Sequence, residues 1–238
     1  MAKVYPTPES SGQPSGAAIE TQSPAVPPLT VLQFLSRLER GHVEQDTLEV
    51  ANELRRRGHR SIVVAAPGAL LPYFTARGSE HVAWAADKAR WFAGPWVGRL
   101  RRLLIRERVA VLHARTPLPV TLAFRAWSGL DPQSRPRLVT SAYEFQPLRR
   151  RRRQLVRGEQ IIAVSGAVKR YLLEQHPDLD AGMVRVIYHG ADERIYPYGY
   201  RPDVHWLQKW YRQYPQLIDR HLISLPQPLV PGRGHDDF

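Results

Sequence analysis

Short, continuous apolar runs alternate with amphipathic segments along most of this chain, and this alternation constrains the fold more than any other feature. The runs lie at 30–35, 61–66, 80–84, 109–114, 138–143, 160–164 and 184–188. Apolar residues recur at helical spacing between them, in the segments 47–57, 70–77, 96–106, 119–127 and 167–175. Strands that are apolar on both sides are typical of parallel sheets covered by helices on both faces. The sequence predicts an α/β fold with a doubly wound, mostly parallel sheet of at least six strands.

The chain divides by composition into four parts. Residues 1–28 are rich in Pro, Ser and Gly and hold too few apolar side chains to offset the entropy of ordering, so we predict a disordered tail. Residues 29–190 carry the predicted sheet. Residues 191–220 are rich in Tyr, Trp and Pro and predict a linker with one helix at 205–214, and residues 221–238 open with an apolar run, 221–225, that predicts the first strand of a truncated further domain.

The segment between the first two predicted strands resembles a βαβ unit. Residues 38–46 carry Gly and charged side chains and predict a loop before a helix at 47–57. Arginines at 55–57 suit the carboxyl end of a helix, where the dipole favours cations, and Gly58 follows as a stop.

Composition excludes several classes of protein. The chain has no Cys, which excludes a disulfide scaffold, a thiol nucleophile and a Cys-ligated zinc, and no metal site is predicted. No apolar run approaches 18 residues and the first residues form no signal-peptide core, so we expect a cytoplasmic protein without a membrane span. The formal net charge of +12 predicts attraction to polyanions such as phosphorylated sugars, anionic lipids or nucleic acid.

Six segments together resemble the N-terminal half of glycosyltransferase family 4, whose retaining enzymes have two Rossmann-like domains in the GT-B arrangement. They are LQFLSRLERGHVEQDT at 32–47, LRRRGHRSIVVA at 54–65, VLHARTPLP at 111–119, IIAVS at 161–165, RVIYHGAD at 185–192 and LPQPLVPGRGHDDF at 225–238. The closest likeness is to bacterial enzymes that build lipopolysaccharide and other cell-surface glycans. The resemblance covers residues 29–238 and implies a Rossmann-like acceptor domain with the donor-binding domain missing.

The resemblance implies a substrate-binding loop after the first strand. The family has two adjacent glycines here, which let the backbone approach the sugar nucleotide, whereas this chain has Gly41 followed by His42. The His42 side chain is expected to crowd that approach or to donate to a phosphate. Glu44 follows either as a polar contact in the cleft or as an acid favoured in the first turn of a helix.

Three further candidates follow predicted strands. Arg115 is implied to line the acceptor side of the cleft, where a guanidinium can pair with phosphate or carboxylate; the alternative is a solvated surface Arg. Tyr143 and Glu144 stand where relatives have His-Gly with an active-site His, which makes Tyr143 the candidate catalytic residue and Glu144 a candidate substrate contact. A phenol with its ordinary pKa near 10 is a poor base at neutral pH, so packing at the strand edge is the alternative for Tyr143.

The last segment departs from the family in its donor-phosphate residues. Relatives have Gly-Arg and then Lys-Gly, whereas this chain has Gln227-Pro228 and then Arg233-Gly234, so Arg233 is the remaining donor-phosphate candidate. No cofactor is expected; a nucleotide sugar would be the co-substrate.

A run of five arginines, Arg149, Arg150, Arg151, Arg152 and Arg153, predicts either a solvated surface or an anion-binding patch. The resemblance favours docking on anionic lipid at the inner membrane face, since relatives with lipid-linked acceptors are often peripheral membrane proteins. Nucleic acid is a less favoured partner, because aromatic residues are not interleaved with this run and no DNA- or RNA-binding signature occurs.

Three hypotheses about function remain at this point. The chain is the acceptor-binding half of a retaining glycosyltransferase, inactive without a separate donor-half partner and acting on a glycan or lipid-linked acceptor. Alternatively it is a non-catalytic basic module that binds membranes or glycans, or a truncated product without activity.

Overall fold

The computed structural model describes residues 27–84, 93–143, 156–190, 197–225 and 235–236. The chain divides into two compact units, Met1–His189 and Gly190–Phe238. The first unit holds seven strands: β1 (Thr30–Arg37), β2 (Arg60–Ala66), β3 (Glu80–Ala83), β4 (Val111–Ala114), β5 (Arg137–Ala142), β6 (Gln160–Ala163) and β7 (Val184–Val186). Its helices are α1 (His42–Arg56), α2 (Leu71–Ala76), α3 (Ala93–Arg106), α4 (Pro117–Trp127) and α5 (Gly166–Gln175).

The strands form one sheet in the order β3-β2-β1-β4-β5-β6-β7, and every pairing is parallel. The prediction of a doubly wound α/β fold is therefore confirmed. A parallel sheet places the carboxyl ends of all its strands at one edge, so the segments that follow the strands converge there.

Alternate side chains of the central strands are buried on opposite faces of the sheet. Leu32 and Phe34 of β1 join the larger core cluster, which includes side chains of α3 and α4. Leu35 of β1 joins a second cluster with side chains of α1 and α2. A third, smaller cluster packs α5 against β5, β6 and β7. Helices thus cover both faces, which explains why the strands read as continuous apolar runs.

The predicted helix ends are largely those of the structure. Gly58 follows α1 with φ of +80°, a left-handed conformation that glycine adopts without strain. Ser165 precedes α5, and its Oγ accepts a hydrogen bond from the Val168 N–H at 3.1 Å. The Pro117 ring occupies the first turn of α4, where no backbone donor is needed.

Helix α1 begins earlier than predicted. The loop assigned to residues 38–46 ends at Gly41, whose extended backbone leads directly into His42 as the first helical residue. The Gln45 N–H donates to the Gly41 carbonyl at 2.9 Å, which closes the first turn. The first turn of α1 is polar because it lies at the edge of the sheet. Its polar composition therefore did not indicate a loop.

The second unit contains α6 (Val204–Gln213) and a short 3-10 helix, Pro215–Leu217. The Asp203 carboxylate caps α6 by accepting from the N–H groups of His205 and Trp206. The prediction of a strand at 221–225 is wrong, because these residues have no regular structure. A strand needs a hydrogen-bonding neighbour, and the described residues of this unit include none; Leu222 and Ile223 are exposed.

Candidate functional site

A crevice is expected at the carboxyl edge of the sheet between β1 and β4. The chain leaves these neighbouring strands towards opposite faces, because α1 follows β1 and α4 follows β4. Ligands of open α/β sheets bind at such a reversal of strand order. Arg115, Tyr143, Asp46 and His189 come together at this edge.

Arg115 forms the buried centre of this group. It follows β4 directly, and its backbone N–H donates to the Phe34 carbonyl of β1 at 3.0 Å, which fixes where the side chain starts. Only 2% of the side chain is exposed. Nη1 donates to Asp46 Oδ2, forming an ion pair, and to the Tyr143 hydroxyl oxygen at 2.7 Å. The burial excludes the alternative of a solvated surface Arg.

Tyr143 links the cation to the carboxylate. It follows β5 and its hydroxyl donates to Asp46 Oδ2 at 3.0 Å while accepting from Arg115. Burial raises the pKa of Tyr143 well above its ordinary value, and the charge of Arg115 only partly opposes this effect. The phenol therefore keeps its proton and serves as a hydrogen-bond donor and acceptor, not as a base.

Two imidazoles flank the Tyr143 ring. His189, three residues after β7, stacks on it with 5.8 Å between ring centroids and 16° between planes. His42, the first residue of α1, meets it edge-on at 5.7 Å. His189 Nδ1 lies 3.3 Å from Asp46 Oδ1, so a single carboxylate contacts the imidazole through one oxygen and Arg115 and Tyr143 through the other.

The predicted loop residues Gly41 and Glu44 lie at the start of α1. Gly41 caps the helix without a side-chain hydrogen bond, and a Cβ placed on it would collide with a carboxylate oxygen of Glu44. Glu44 thus lies in the first turn with its carboxylate close to the helix N-terminus, where the dipole favours negative charge.

His113 supports the site from within the sheet. It is buried in β4, and its Nε2 lies 2.7 Å from Ser141 Oγ on β5. Burial, and secondarily the charge of Arg115, lowers the pKa of His113 well below its ordinary value, so this ring stays neutral beside the cation.

The structure brings together three predicted residues, His42, Arg115 and Tyr143, and adds two that the sequence reasoning missed, Asp46 and His189. Asp46 fell in the segment predicted as loop, yet it lies one helical turn after His42. His189 fell within the family-like segment 185–192 but was not singled out. Position after a strand was the signal that could have found His189.

The other predicted residues lie outside the described part of the chain: Glu144, Arg149, Arg150, Arg151, Arg152, Arg153 and Arg233. Among the residues that are described, no group of three or more His, Asp or Glu side chains is placed to hold a metal ion. Within the same residues, no helix has the length and apolarity needed to cross a bilayer.

The sequence and the fold of this chain also resemble those of known proteins. The sequence model of Glycosyltransferase Family 4 matches residues 43–195, more than half of the chain. A glycosyltransferase from Rickettsia africae ESF-5 is similar in structure, with a TM-score of 0.62 and 21% identity over 80% of this chain and 50% of that one. Among curated proteins, no significant sequence match was found.

Two further solved structures share the fold. HepE of Anabaena, solved in complex with UDP and glucose, gives a TM-score of 0.57 at 17% identity over 78% of this chain and 50% of its own. The lipopolysaccharide outer core galactosyltransferase WaaB gives 0.53 at 7% identity over 68% and 46%. The chain spans about half the length of these GT-B structures, and the other half of each lies outside the aligned region. With its fold shared by these enzymes and most of its sheet unit inside the family match, this chain belongs to Glycosyltransferase Family 4.

Proposed function

We propose that residues 29–189 form the acceptor-side half of a retaining glycosyltransferase. The reaction would move a sugar from a nucleotide sugar to a glycan or a lipid-linked acceptor. Membership of Glycosyltransferase Family 4 supports the sugar-transfer class. The UDP and glucose named for HepE, and the lipopolysaccharide core named for WaaB, suggest the kinds of donor and acceptor.

The observation that carries the proposal is the ion pair at the sheet edge between Arg115, whose side chain is 2% exposed, and Asp46, whose side chain is 23% exposed. A buried ion pair contributes little net stability compared with apolar packing, so its presence favours a role in a site over a role in folding. Arg115 holds the Tyr143 hydroxyl and the Asp46 carboxylate in a fixed relation, and Asp46 in turn contacts His189. Arg115 is therefore a positioning residue in this proposal.

The chemistry assigns different tasks to the groups at this edge. In the transfer, the bond from the anomeric carbon to the diphosphate breaks, a bond to an acceptor hydroxyl oxygen forms, and the acceptor proton leaves. Tyr143 hydrogen-bonds the acceptor sugar without taking the proton, because its pKa is raised. His189, exposed over 43% of its side chain and oriented by Asp46, is the proposed proton acceptor, because an imidazole nitrogen can take a proton from a hydroxyl within hydrogen-bond reach.

We further propose that the 238-residue chain does not turn over nucleotide sugars by itself. The family resemblance assigns the groups that stabilise the leaving diphosphate mainly to the donor half. Such groups usually supply the largest part of the barrier reduction in transfer reactions. The acceptor half would bind its acceptor and would need a donor-half partner for catalysis.

Two measurements test the proposal. First, UDP-glucose is incubated with the purified chain and lipopolysaccharide core oligosaccharide; we expect no UDP release above the buffer rate, and robust turnover would contradict the inactivity of the isolated chain. Second, saturation-transfer NMR follows binding of the same oligosaccharide to wild type, Arg115→Met and Arg137→Met.

The second measurement has a matched control in the same sheet. Arg137 begins β5 at the opposite edge, and its ion pair with Glu159 leaves 79% of its side chain exposed. We expect Arg115→Met to weaken binding by about tenfold or more, since charge-assisted positioning is lost, and Arg137→Met to leave it unchanged. Equal binding by wild type and Arg115→Met would remove the proposed site.

A further inference from the structure

We infer that helix α6 docks the protein on an anionic lipid surface, lying in the membrane interface with its aromatic face down. This inference concerns the second unit and is independent of the sugar transfer proposed above. It rests on the division of the α6 surface into two faces of opposite chemistry.

One side of α6 carries only apolar and aromatic residues. At 100° per residue these occupy a single continuous sector of the helix: Val204, Trp206, Leu207, Trp210 and Tyr211, continued by Tyr214 at the helix end. Trp206 stacks on Trp210 with 5.3 Å between centroids and 11° between planes, and Trp210 lies 4.6 Å from Tyr214. The i, i+4 spacing thus builds a ladder of three aromatic rings.

This aromatic face is not part of a core. No residue of α6 is buried, and Trp206 is 51% exposed, a large fraction for an indole. Ile218, Leu222 and Ile223, further along the same unit, are also exposed. The continuous apolar sector of α6 is the kind of exposed surface that marks an interaction site.

The other side of α6 is basic. His205, Lys209 and Arg212 lie there with Gln208 and Gln213, and the helix contains no Asp or Glu. Arg201 and Arg220 flank it in sequence. Long basic side chains at the border of an apolar face can reach upward to lipid phosphates while their stems remain in the interface.

The residue types favour a lipid surface over a protein partner. Trp and Tyr combine a large apolar ring with a polar N–H or O–H and are enriched where hydrocarbon meets headgroups. Four of the six residues in this sector, Trp206, Trp210, Tyr211 and Tyr214, are aromatic. The basic polar face adds complementarity to anionic headgroups specifically.

Co-sedimentation with vesicles tests the inference. Vesicles of phosphatidylcholine are compared with vesicles that contain about one third phosphatidylglycerol, at low and at physiological ionic strength. We expect the full chain to sediment with the anionic vesicles. Trp206→Ala/Trp210→Ala should weaken this binding by about tenfold or more; alanine favours helix formation, so α6 itself should persist, which far-UV circular dichroism verifies.

Charge variants separate α6 from the general basicity of the protein. Lys209→Gln/Arg212→Gln should weaken binding by about fivefold per charge removed. Arg77→Gln/Arg102→Gln removes the same charge from exposed positions of the first unit and should have little effect. Tyr73→Ala, which removes a 52% exposed aromatic ring from α2, is the control for the tryptophan variant.

Three results would overturn the inference. One is wild-type protein that stays in solution with anionic vesicles at low ionic strength. Another is undiminished sedimentation of Trp206→Ala/Trp210→Ala, which would place membrane contact elsewhere, for instance at the run 149–153. The third is a change of oligomeric mass in this variant without a change in vesicle binding, measured by light scattering, which would show that a second copy covers the face.

Discussion

A single histidine makes the stability of the sheet dependent on pH. His113 is buried between β4 and β5, and its pKa is held well below 6.5 by burial and by the nearby charge of Arg115. The unfolded chain takes up a proton at this position below about pH 6.5, while the folded protein does not. Acid therefore favours the unfolded state, and the stabilising contribution is complete only above that pH.

We predict that the free energy of unfolding falls below pH 6.5 by up to about 1.4 kcal/mol per pH unit through His113. Urea unfolding at pH 7 and pH 5 measures this loss. His113→Gln should lower stability at pH 7 but flatten the dependence on pH, whereas His205→Gln, at an exposed position, should leave it unchanged. An equally steep fall in His113→Gln would assign the effect to other groups.

The residues of the candidate site differ in how far the sequence alone predicts them. Arg115 was predictable because a charged residue directly after an apolar strand stands at the ligand edge of a parallel sheet. Asp46 was not, because its role depends on α1 starting at His42, which turns its carboxylate towards Arg115 and His189. Sequence spacing alone does not report that contact between residues 69 positions apart.

Backbone hydrogen bonds join two of the connections between elements. The Leu38 N–H donates to the Ala66 carbonyl at 3.0 Å, and the Leu70 N–H donates to the Leu38 carbonyl at 2.9 Å. These bonds tie the segment after β1 to the segment between β2 and α2. Gly68 lies in the second segment, and a Cβ on it would overlap the Leu38 carbonyl group and lie 2.9 Å from Glu39 N.

We predict that Gly68→Ala destabilises the protein by about 2 kcal/mol, because the clash is with backbone that cannot move aside cheaply. The midpoint of urea unfolding measures the change. Gly94→Ala, the same substitution in the first turn of α3, meets nothing within 4 Å and should be neutral or stabilising by up to about 1 kcal/mol. Similar losses in both variants would show that the Leu38 contact is not the cause.

Elements buried on both sides were the most predictable part of the fold. Every described strand of the sheet overlaps a predicted apolar run, and burial on two faces leaves a continuous apolar signal in the central strands β1 and β2. The first turn of α1 was mistaken for loop because it is polar. Residues 221–225 have the composition of a strand but no described partner to pair with, and pairing is a property that one segment does not encode.

At the scale of the whole molecule, the cores lie within one unit. All buried members of the three hydrophobic clusters fall between Leu32 and Val184. The second unit contributes none of them, although its described residues include a complete helix. We therefore expect the sheet unit to fold with only the residues up to His189.

We predict that a chain ending at His189 unfolds in one cooperative urea transition with the midpoint of the full chain, as followed by far-UV circular dichroism. A chain ending at Ala181 is the control, because it lacks β7 and with it Val184, which is 1% exposed. That shorter chain should lose several kcal/mol of stability. Absence of a transition in the longer one would show that the second unit is needed for folding.

The all-parallel sheet also places residues of the candidate site outside the hydrophobic cores. Tyr143 and His189 belong to segments that follow strands, and neither is a member of the buried clusters. Substitution of either residue would therefore alter the proposed chemistry of the site without opening a cavity in the cores. Replacement of Arg115 would go further, because the Asp46 carboxylate and the Tyr143 hydroxyl would both lose its guanidinium as a partner.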